Sequence, residues 1–229
     1  MAEVSLASHM REQRTEADED RGEAEAGPFI TISRQFGCYG FSLGLLLMEI
    51  LNENADASTT WRIYHREILE RLATETNLAA ELLDRQRRTK PGLLADFFRA
   101  VTSQHVPSGA EVRRYITMII RGLAVDGYAI IIGQGGSAAT RDLPNGLSVR
   151  LEAPVQWRVK EVAFREGLSE TKARLRVKAM DQDREYLGKL YESRNQTRLP
   201  FDVIYDCSSF TLAQIAQHVA YAMKLKGCI

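Results

Sequence analysis

The amino-acid sequence predicts an α/β fold in which helices cover both faces of a mainly parallel β-sheet. Short segments rich in β-branched residues alternate along the chain with longer segments of helical periodicity, the pattern of repeated βαβ units. Residues 128–132 are apolar throughout, which is typical of a strand buried on both faces of a parallel sheet. A chain of 229 residues that is 45% hydrophobic is long enough to bury one core without disulfides or metal ions.

Each element follows from local patterning. Apolar, β-rich segments predict strands at residues 29–33, 61–64, 128–132, 147–151 and 201–205. Apolar residues at helical spacing predict helices at residues 43–51, 65–74, 78–88, 93–102, 111–126, 154–166, 169–191 and 212–219. The clearest helix is 111–126, because Ile116, Ile119 and Leu123 share one face and Gly127 ends the segment.

Charge divides the chain into an acidic tail and a basic remainder. Residues 1–27 carry eight acids and three bases, a net charge of −5, so the rest of the neutral chain carries +5. We expect residues 1–27 to be a disordered tail, with a frayed helix as the alternative, and residues 28–229 to form the folded domain. A net charge of +5 is too small to predict nucleic-acid binding.

Composition also bears on the compartment. No apolar segment approaches the roughly 18 residues of a membrane span, and the polar N-terminus has no secretory signal pattern. The three cysteines are scattered and form no CxxC pair, which argues against a disulfide framework or a zinc site. We therefore expect a reducing, cytoplasmic setting.

A glycine-containing loop, Arg34–Ser42, joins the first strand to the first helix. In parallel sheets ligands bind where strands end and helices begin, and loop N–H groups there attract anions. Only Gly37, Gly40 and Ser42 fit the phosphate-binding pattern GxxxxGK followed by Ser or Thr, so a plain tight turn is the alternative. Cys38 is either a thiol whose pKa the helix N-terminus lowers or a small residue in that turn.

The segment 158–184 carries eight bases and five acids. It is either a solvated pair of helices or a mobile lid whose arginines close over phosphates. The other glycine cluster, Gly133–Gly136, lacks the third glycine of a dinucleotide-binding fingerprint.

The order of these segments resembles the cytidylate kinase-like family, a branch of the P-loop nucleoside monophosphate kinases. The resemblance covers about residues 28–222 and is carried by ITISRQFG (30–37), YHREIL (64–69), IIIGQG (130–135), VRLEAP (149–154), EGLS (166–169), DQDR (181–184) and FDVI (201–204). It implies a three-layer α/β/α fold with a five-stranded sheet and a helical lid at about 155–190. It also implies Mg²⁺-dependent transfer of the ATP γ-phosphoryl group to a CMP-like monophosphate.

The resemblance implies a role for particular residues. The ATP phosphates would be held by Gly37, Cys38, Tyr39, Gly40, Phe41 and Ser42, with Ser42 also near Mg²⁺. Arg158 and Arg184 would be the catalytic arginines. The acceptor nucleotide would be bound by Arg66, Gln134, Asp181 and Arg184.

The chain departs from the family pattern in the loop and at two later positions. Where the family loop reads Gly-Ser-Gly-Gly-Arg, residues 37–41 of this chain read Gly-Cys-Tyr-Gly-Phe, so Tyr39 replaces a glycine and Phe41 replaces the arginine. His65 replaces an aspartate, and Gln134 replaces an arginine expected to hold the acceptor phosphate. Losing one such phosphate contact costs about 10²–10³ in rate. We hypothesise that Arg34, beside the loop, substitutes for the missing cations.

Two functions therefore follow from the sequence. One is a nucleoside monophosphate kinase, weakened by these replacements. The alternative is a catalytically inactive kinase-like module that senses nucleotides or binds a protein partner.

Overall fold

A computed structural model of the chain describes residues 26–67, 109–191 and 200–229. Its strands are β1 (Phe29–Arg34), β2 (Arg62–Tyr64), β3 (Ala129–Ile132), β4 (Gly146–Glu152) and β5 (Val203–Asp206). They form one sheet in the order β2-β3-β1-β4-β5, and every neighbouring pair is parallel. The predicted five-stranded α/β architecture is confirmed.

Helices occupy the predicted places between the strands. Those of the described residues are α1 (Gly40–Asn52), α2 (Gly109–Asp126), α3 (Gly136–Ala139), α4 (Val155–Glu166), α5 (Glu170–Tyr191) and α6 (Leu212–Leu225). The single turn α3 was not predicted. Within the described ranges, no helix is both long and apolar enough to cross a membrane.

Some sequence predictions lie outside the described residues. They are the tail up to residue 25, the helices 78–88 and 93–102, and residues 68–74 of the helix predicted at 65–74. At the start of the described part, Ala26 is buried and the Gly27 N–H donates to the Val125 carbonyl at 3.0 Å. Ala26 and Gly27 are thus packed onto the domain although they precede the predicted start at Pro28.

Residues at the ends of the helices explain where these helices begin and end. Gly127 adopts φ +84° and its N–H donates to the Leu123 carbonyl at 3.1 Å, which ends α2 as predicted. The Ser169 hydroxyl accepts from the Lys172 N–H at 3.4 Å at the start of α5. A full capping box, Thr211 with Gln214, begins α6.

The alternation of side chains along β1 builds a core on each face of the sheet. Ile30 and Ile32 are buried with Leu43 and Leu47 of α1 and with Ile215 of α6. Their neighbour Phe29 points to the other face. There it is buried with the α2 residues Ile116, Ile119, Ile120 and Leu123. The sheet is therefore the middle of three layers.

The helices α4 and α5 form a pair with an apolar contact of its own. Val159 and Val162 of α4 are buried against Ala173 and Val177 of α5. Phe36, from the loop between β1 and α1, packs against this small cluster. The helix pair is thereby fixed next to the glycine loop, at the carboxyl end of the sheet.

Candidate functional site

The second half of the glycine loop presents free backbone donors. Among the described residues, the N–H groups of Tyr39, Gly40, Phe41 and Ser42 donate to no protein acceptor. Tyr39 precedes α1, and its side chain makes no capping hydrogen bond. Unsatisfied N–H groups at the positive end of a helix dipole attract anions. The loop therefore keeps the backbone donors that a phosphate group needs.

The first half of the loop is tied to the helix pair. The Phe36 N–H donates to Asp181 Oδ1 at 2.8 Å, and Arg158 Nη1 donates to the Phe36 carbonyl at 3.1 Å. Arg158 also donates to Asp181 Oδ2 at 2.5 Å and to the Ala153 carbonyl at 2.9 Å. Its side chain is 7% exposed. Arg158 and Asp181, both predicted site residues, are thus joined in one network that holds the loop.

Gly37 is the loop residue at which only glycine fits. Its φ is +91°, and a Cβ atom there would lie 3.1 Å from Arg158 Cβ and 3.3 Å from the Arg158 carbonyl oxygen. The absence of a side chain lets the loop lie directly on the start of α4.

Three arginines converge behind the loop, at the carboxyl end of the sheet. They are Arg34 from β1, Arg150 from β4 and Arg184 from α5. Arg184 Nη1 donates to the Arg34 carbonyl at 3.3 Å, and Arg150 Nη1 donates to Ser33 Oγ at 2.8 Å. Burial, reinforced by repulsion from Arg184 and Arg150, lowers the pKa of Arg34 to about 10. Burial also lowers the pKa of Arg184.

The charge of Arg34 has no counter-ion in the described part of the chain. Glu152 pairs with Arg150 at 3.1 Å, and Asp181 pairs with Arg158. The Arg34 side chain runs beneath the start of α1, with Cδ 3.1 Å from where a Gly40 Cβ would stand. Arg34 Nη1 lies 2.0 Å from the position that a Cβ atom on Gly133 would occupy. Arg34 thus bridges the two glycine loops with an uncompensated charge.

Gln134 lies in the second glycine loop, next to the residue that Arg34 contacts. Gln134 adopts φ +54° between Gly133 at +75° and Gly135 at +73°. For a residue with a Cβ atom, this left-handed backbone conformation is about 1–2 kcal/mol higher in energy than the right-handed one. The strained position is the one at which the family resemblance implies an arginine.

Replacing Gln134 by glycine is expected to raise the free energy of unfolding by about 0.5–1 kcal/mol, because the strain outweighs the extra freedom of the unfolded chain. The matched control is Gln182→Gly in the exposed part of α5, where the same change costs about 1 kcal/mol. Urea denaturation of both variants measures the two effects, and a Gln134→Gly protein as destabilised as the control would contradict the assignment of strain.

Phe41 and His65 contact each other beside the loop. Their rings pack edge to face, with centroids 5.2 Å apart. The resemblance implies an arginine at the first position and an aspartate at the second, so two departures from the pattern form one aromatic contact. Arg66 follows directly after His65, beyond the carboxyl end of β2, and its side chain is exposed.

Of the two interpretations of Cys38, the small residue in a tight turn fits the structure, and a thiol with a lowered pKa does not. Cys38 is 2% exposed, and a hydrogen bond shared with Cys207 together with burial raises the pKa of its thiol. Cys207 follows β5, far from Cys38 in sequence. No local pattern therefore pointed to this contact.

A cavity of about 270 Å³ adjoins the loop on the side of β5. Its lining residues are Tyr39, Trp157, Glu161, Arg165 and the segment Cys207–Leu212. The Arg165 guanidinium lies 3.5 Å from the centre of the Tyr39 ring, and the Tyr39 hydroxyl is buried without a partner among the described residues. No local sequence pattern indicates this cavity, because its walls come from separate elements.

The chain is similar to several solved structures, the first of which supports the fold. An uncharacterized protein from Eubacterium ventriosum ATCC 27560 is 19% identical, with a TM-score of 0.63 over 86% of this chain and 98% of that one. Shikimate kinase from Bacteroides thetaiotaomicron is 10% identical, with a TM-score of 0.45 over 86% and 98% of the two chains. Shikimate kinase from Acinetobacter baumannii in complex with shikimate is 12% identical, with a TM-score of 0.44 over 87% and 94%.

Comparisons of sequence identify the family. No curated protein matches the chain. The sequence profile of the cytidylate kinase-like family, in contrast, matches residues 29–209, which include all five strands and the helix pair. This chain belongs to the cytidylate kinase-like family.

Proposed function

We propose that the protein transfers the γ-phosphoryl group of ATP to a nucleoside monophosphate, with CMP as the first candidate acceptor. The observation that carries the proposal is the concentration of phosphate-binding groups at one end of the sheet. The free N–H groups of residues 39–42 lie on one side of this site, and the guanidinium groups of Arg34 and Arg184 lie behind it. Phosphoryl transfer depends on positioning and on neutralising phosphate charge, which such groups supply.

Arg34 has the central role in this proposal. The loop position at which the resemblance implies a cation is Phe41, which is 47% exposed and contacts His65. Arg34 approaches the same loop from below, at Gly40, and its charge lacks a counter-ion in the described part of the chain. We infer that it replaces the missing cation and contacts an ATP phosphate.

The cavity beside Tyr39 is the proposed site of the ATP base. Its volume of about 270 Å³ is below the roughly 300–1,000 Å³ of cavities that enclose whole ligands, so it suits a flat base whose phosphates lie outside. Trp157 and Phe210 supply apolar walls, and Ser208 and Ser209 supply polar groups.

The acceptor monophosphate is proposed to lie on the other side of Arg34. Arg184 and Gln134 would contact it, since one is hydrogen-bonded to the Arg34 backbone and the other adjoins Gly133. Arg66 would reach it from beyond β2. Arg158 and Asp181 are positioning residues in this proposal, because their contacts with each other and with Phe36 hold the loop.

Ser42 is the proposed protein ligand of Mg²⁺. Its hydroxyl lies in the first turn of α1, next to the free N–H groups. Magnesium that arrives with ATP is bound largely by phosphate oxygens and water, and a serine hydroxyl at the start of a helix is a common protein ligand for it. When bound, the ion would neutralise charge on the phosphate oxygens.

A coupled ADP-release assay with a panel of nucleoside monophosphates tests the proposal. We expect turnover that depends on both Mg²⁺-ATP and one acceptor, and that is lost in Arg184→Ala. ATP hydrolysis without an acceptor is the internal control. Background rates with every acceptor would refute the kinase function.

The second candidate function is an inactive kinase-like module. The Phe41–His65 contact favours it, because an aromatic pair stands where the resemblance implies two charged residues. Such a module would bind nucleotide without turnover. The same assay, run beside a direct measurement of ATP binding, separates the two functions.

A further inference from the structure

Two cysteines that are distant in sequence meet at the junction of the loop and the cavity. Cys38 lies in the glycine loop, and Cys207 follows the last residue of β5. Both are buried in the same apolar cluster, and their thiols share a hydrogen bond. The pairing follows from the sheet, because β5 adjoins β4 and β4 adjoins β1.

The two thiols differ in access and in charge. Cys207 is 7% exposed and lines the cavity, whereas Cys38 is 2% exposed and lies behind it. The hydrogen bond from Cys38 lowers the pKa of Cys207, with burial and Asp206 acting against it. The charged groups that act on Cys38 include Arg158, Asp181 and Arg184. Cys207 is thus the thiol that a small molecule reaches first and that ionises more easily.

We propose that Cys38 and Cys207 form a peroxide-sensitive site at which hydrogen peroxide converts two thiols into one disulfide bond. The Cys207 thiolate attacks one peroxide oxygen, the O–O bond breaks, and a sulfenic acid and hydroxide form. The Cys38 sulfur then attacks the Cys207 sulfur, and the sulfenic oxygen leaves as water with the Cys38 proton. Hydroxide takes the remaining proton, so one peroxide becomes two waters as two thiols become a disulfide.

The disulfide bond between Cys38 and Cys207 would affect the proposed nucleotide site. It would fix the glycine loop to the segment after β5, between the proposed positions of the ATP phosphates and base. Tyr39, the next residue after Cys38, forms part of the cavity wall. We therefore expect the oxidised protein to bind ATP at least about tenfold more weakly, an energy difference of about 1.4 kcal/mol. This consequence rests on the proposed function, whereas the formation of the bond does not.

The test treats the full chain with hydrogen peroxide, blocks the remaining thiols and measures the intact mass and the cross-linked peptides. We expect one blocked thiol per chain instead of three, a mass lower by two hydrogens once that blocking group is subtracted, and a cross-link between the peptides of Cys38 and Cys207. Dithiothreitol added before the block should reverse all three. A cross-link to Cys228, or a protein that only gains oxygen atoms, would overturn the proposal. Cys228 is partly buried and is the remaining cysteine of the three.

Three variants show which thiol attacks the peroxide and which one then forms the disulfide. Cys228→Ser is the matched control and should still form the disulfide. Cys38→Ser should stop at the Cys207 sulfenic acid, which dimedone labels, and Cys207→Ser should form neither product. Dimedone labelling of Cys38 in Cys207→Ser to the same extent would overturn the assignment of the attacking thiol. Near-ultraviolet circular dichroism checks that each variant is folded.

A parallel ATP titration of the reduced and oxidised forms separates this site from the proposed function. Equal affinity of the two forms would overturn the regulatory effect. No binding by the reduced form would refute the proposed function instead, and the mass measurements would still decide whether the disulfide forms.

Discussion

Replacing Arg34 by alanine is expected to weaken Mg²⁺-ATP binding by about 10²–10³-fold while leaving the fold at least as stable. Binding falls because the variant loses the cation that approaches the loop at Gly40. Stability is retained because burial and two neighbouring arginines already disfavour the charge of Arg34, whose pKa is lowered to about 10. Residues kept for binding a charged ligand often stabilise the free protein little.

Calorimetry for ATP binding and urea denaturation for stability measure the two effects separately. Arg34→Lys keeps the charge without the planar fork and should lie between wild type and alanine in affinity. An Arg34→Ala protein with unchanged ATP affinity would remove Arg34 from the site.

A matched pair of glycine variants tests the same side chain without removing it. Gly133→Ala places a Cβ atom 2.0 Å from Arg34 Nη1 at φ +75°, so the guanidinium must move. Gly167→Ala adds a Cβ at φ +63° with no atom within 4 Å. Both variants carry backbone strain of about 1–2 kcal/mol, and only Gly133→Ala should also weaken ATP binding.

Replacing Arg158 by methionine is expected to lower the free energy of unfolding by about 3 kcal/mol. Methionine fills much of the buried space that the arginine side chain occupies. It leaves Asp181 without its ion pair and the carbonyls of Phe36 and Ala153 without their hydrogen-bond donor. Because Asp181 is 29% exposed, water compensates part of the loss, and the effect lies at the low end for a buried pair. Urea denaturation measures it.

The control for Arg158 is the same substitution at an exposed contact of the same helix pair. Arg174 donates to Gln156 Oε1 at 2.8 Å on the surface, and Arg174→Met should cost less than about 1 kcal/mol. Equal effects at the two positions would mean that the buried network does not hold the helix pair to the loop.

Local sequence patterns predicted the elements well. The apolar segment 128–132 and the single apolar face of 111–126 correspond to β3 and to most of α2. Both depend only on neighbouring residues, so the sequence alone indicates them. Gly127 likewise ends its helix by its own conformation.

Local sequence patterns could not predict which residues meet at the site, because these residues are far apart in the sequence. Arg184 donates to the backbone of Arg34 from 150 positions away, and the β1–β4 register sets Arg150 opposite Ser33. Cys38 illustrates the limit: its position before a helix allowed either a lowered pKa or a small residue in a turn, and the distant Cys207, together with burial, raises the pKa. Only the three-dimensional packing brings these groups together.

In the proposed function, the loop and Arg34 form a working nucleotide site. Calorimetric titration of the reduced full chain with Mg²⁺-ATP, with and without CMP, decides whether they do. We predict saturable ATP binding that CMP strengthens, because in the proposed site each nucleotide would neutralise part of one arginine cluster. No heat with ATP at any reachable concentration would contradict the claim.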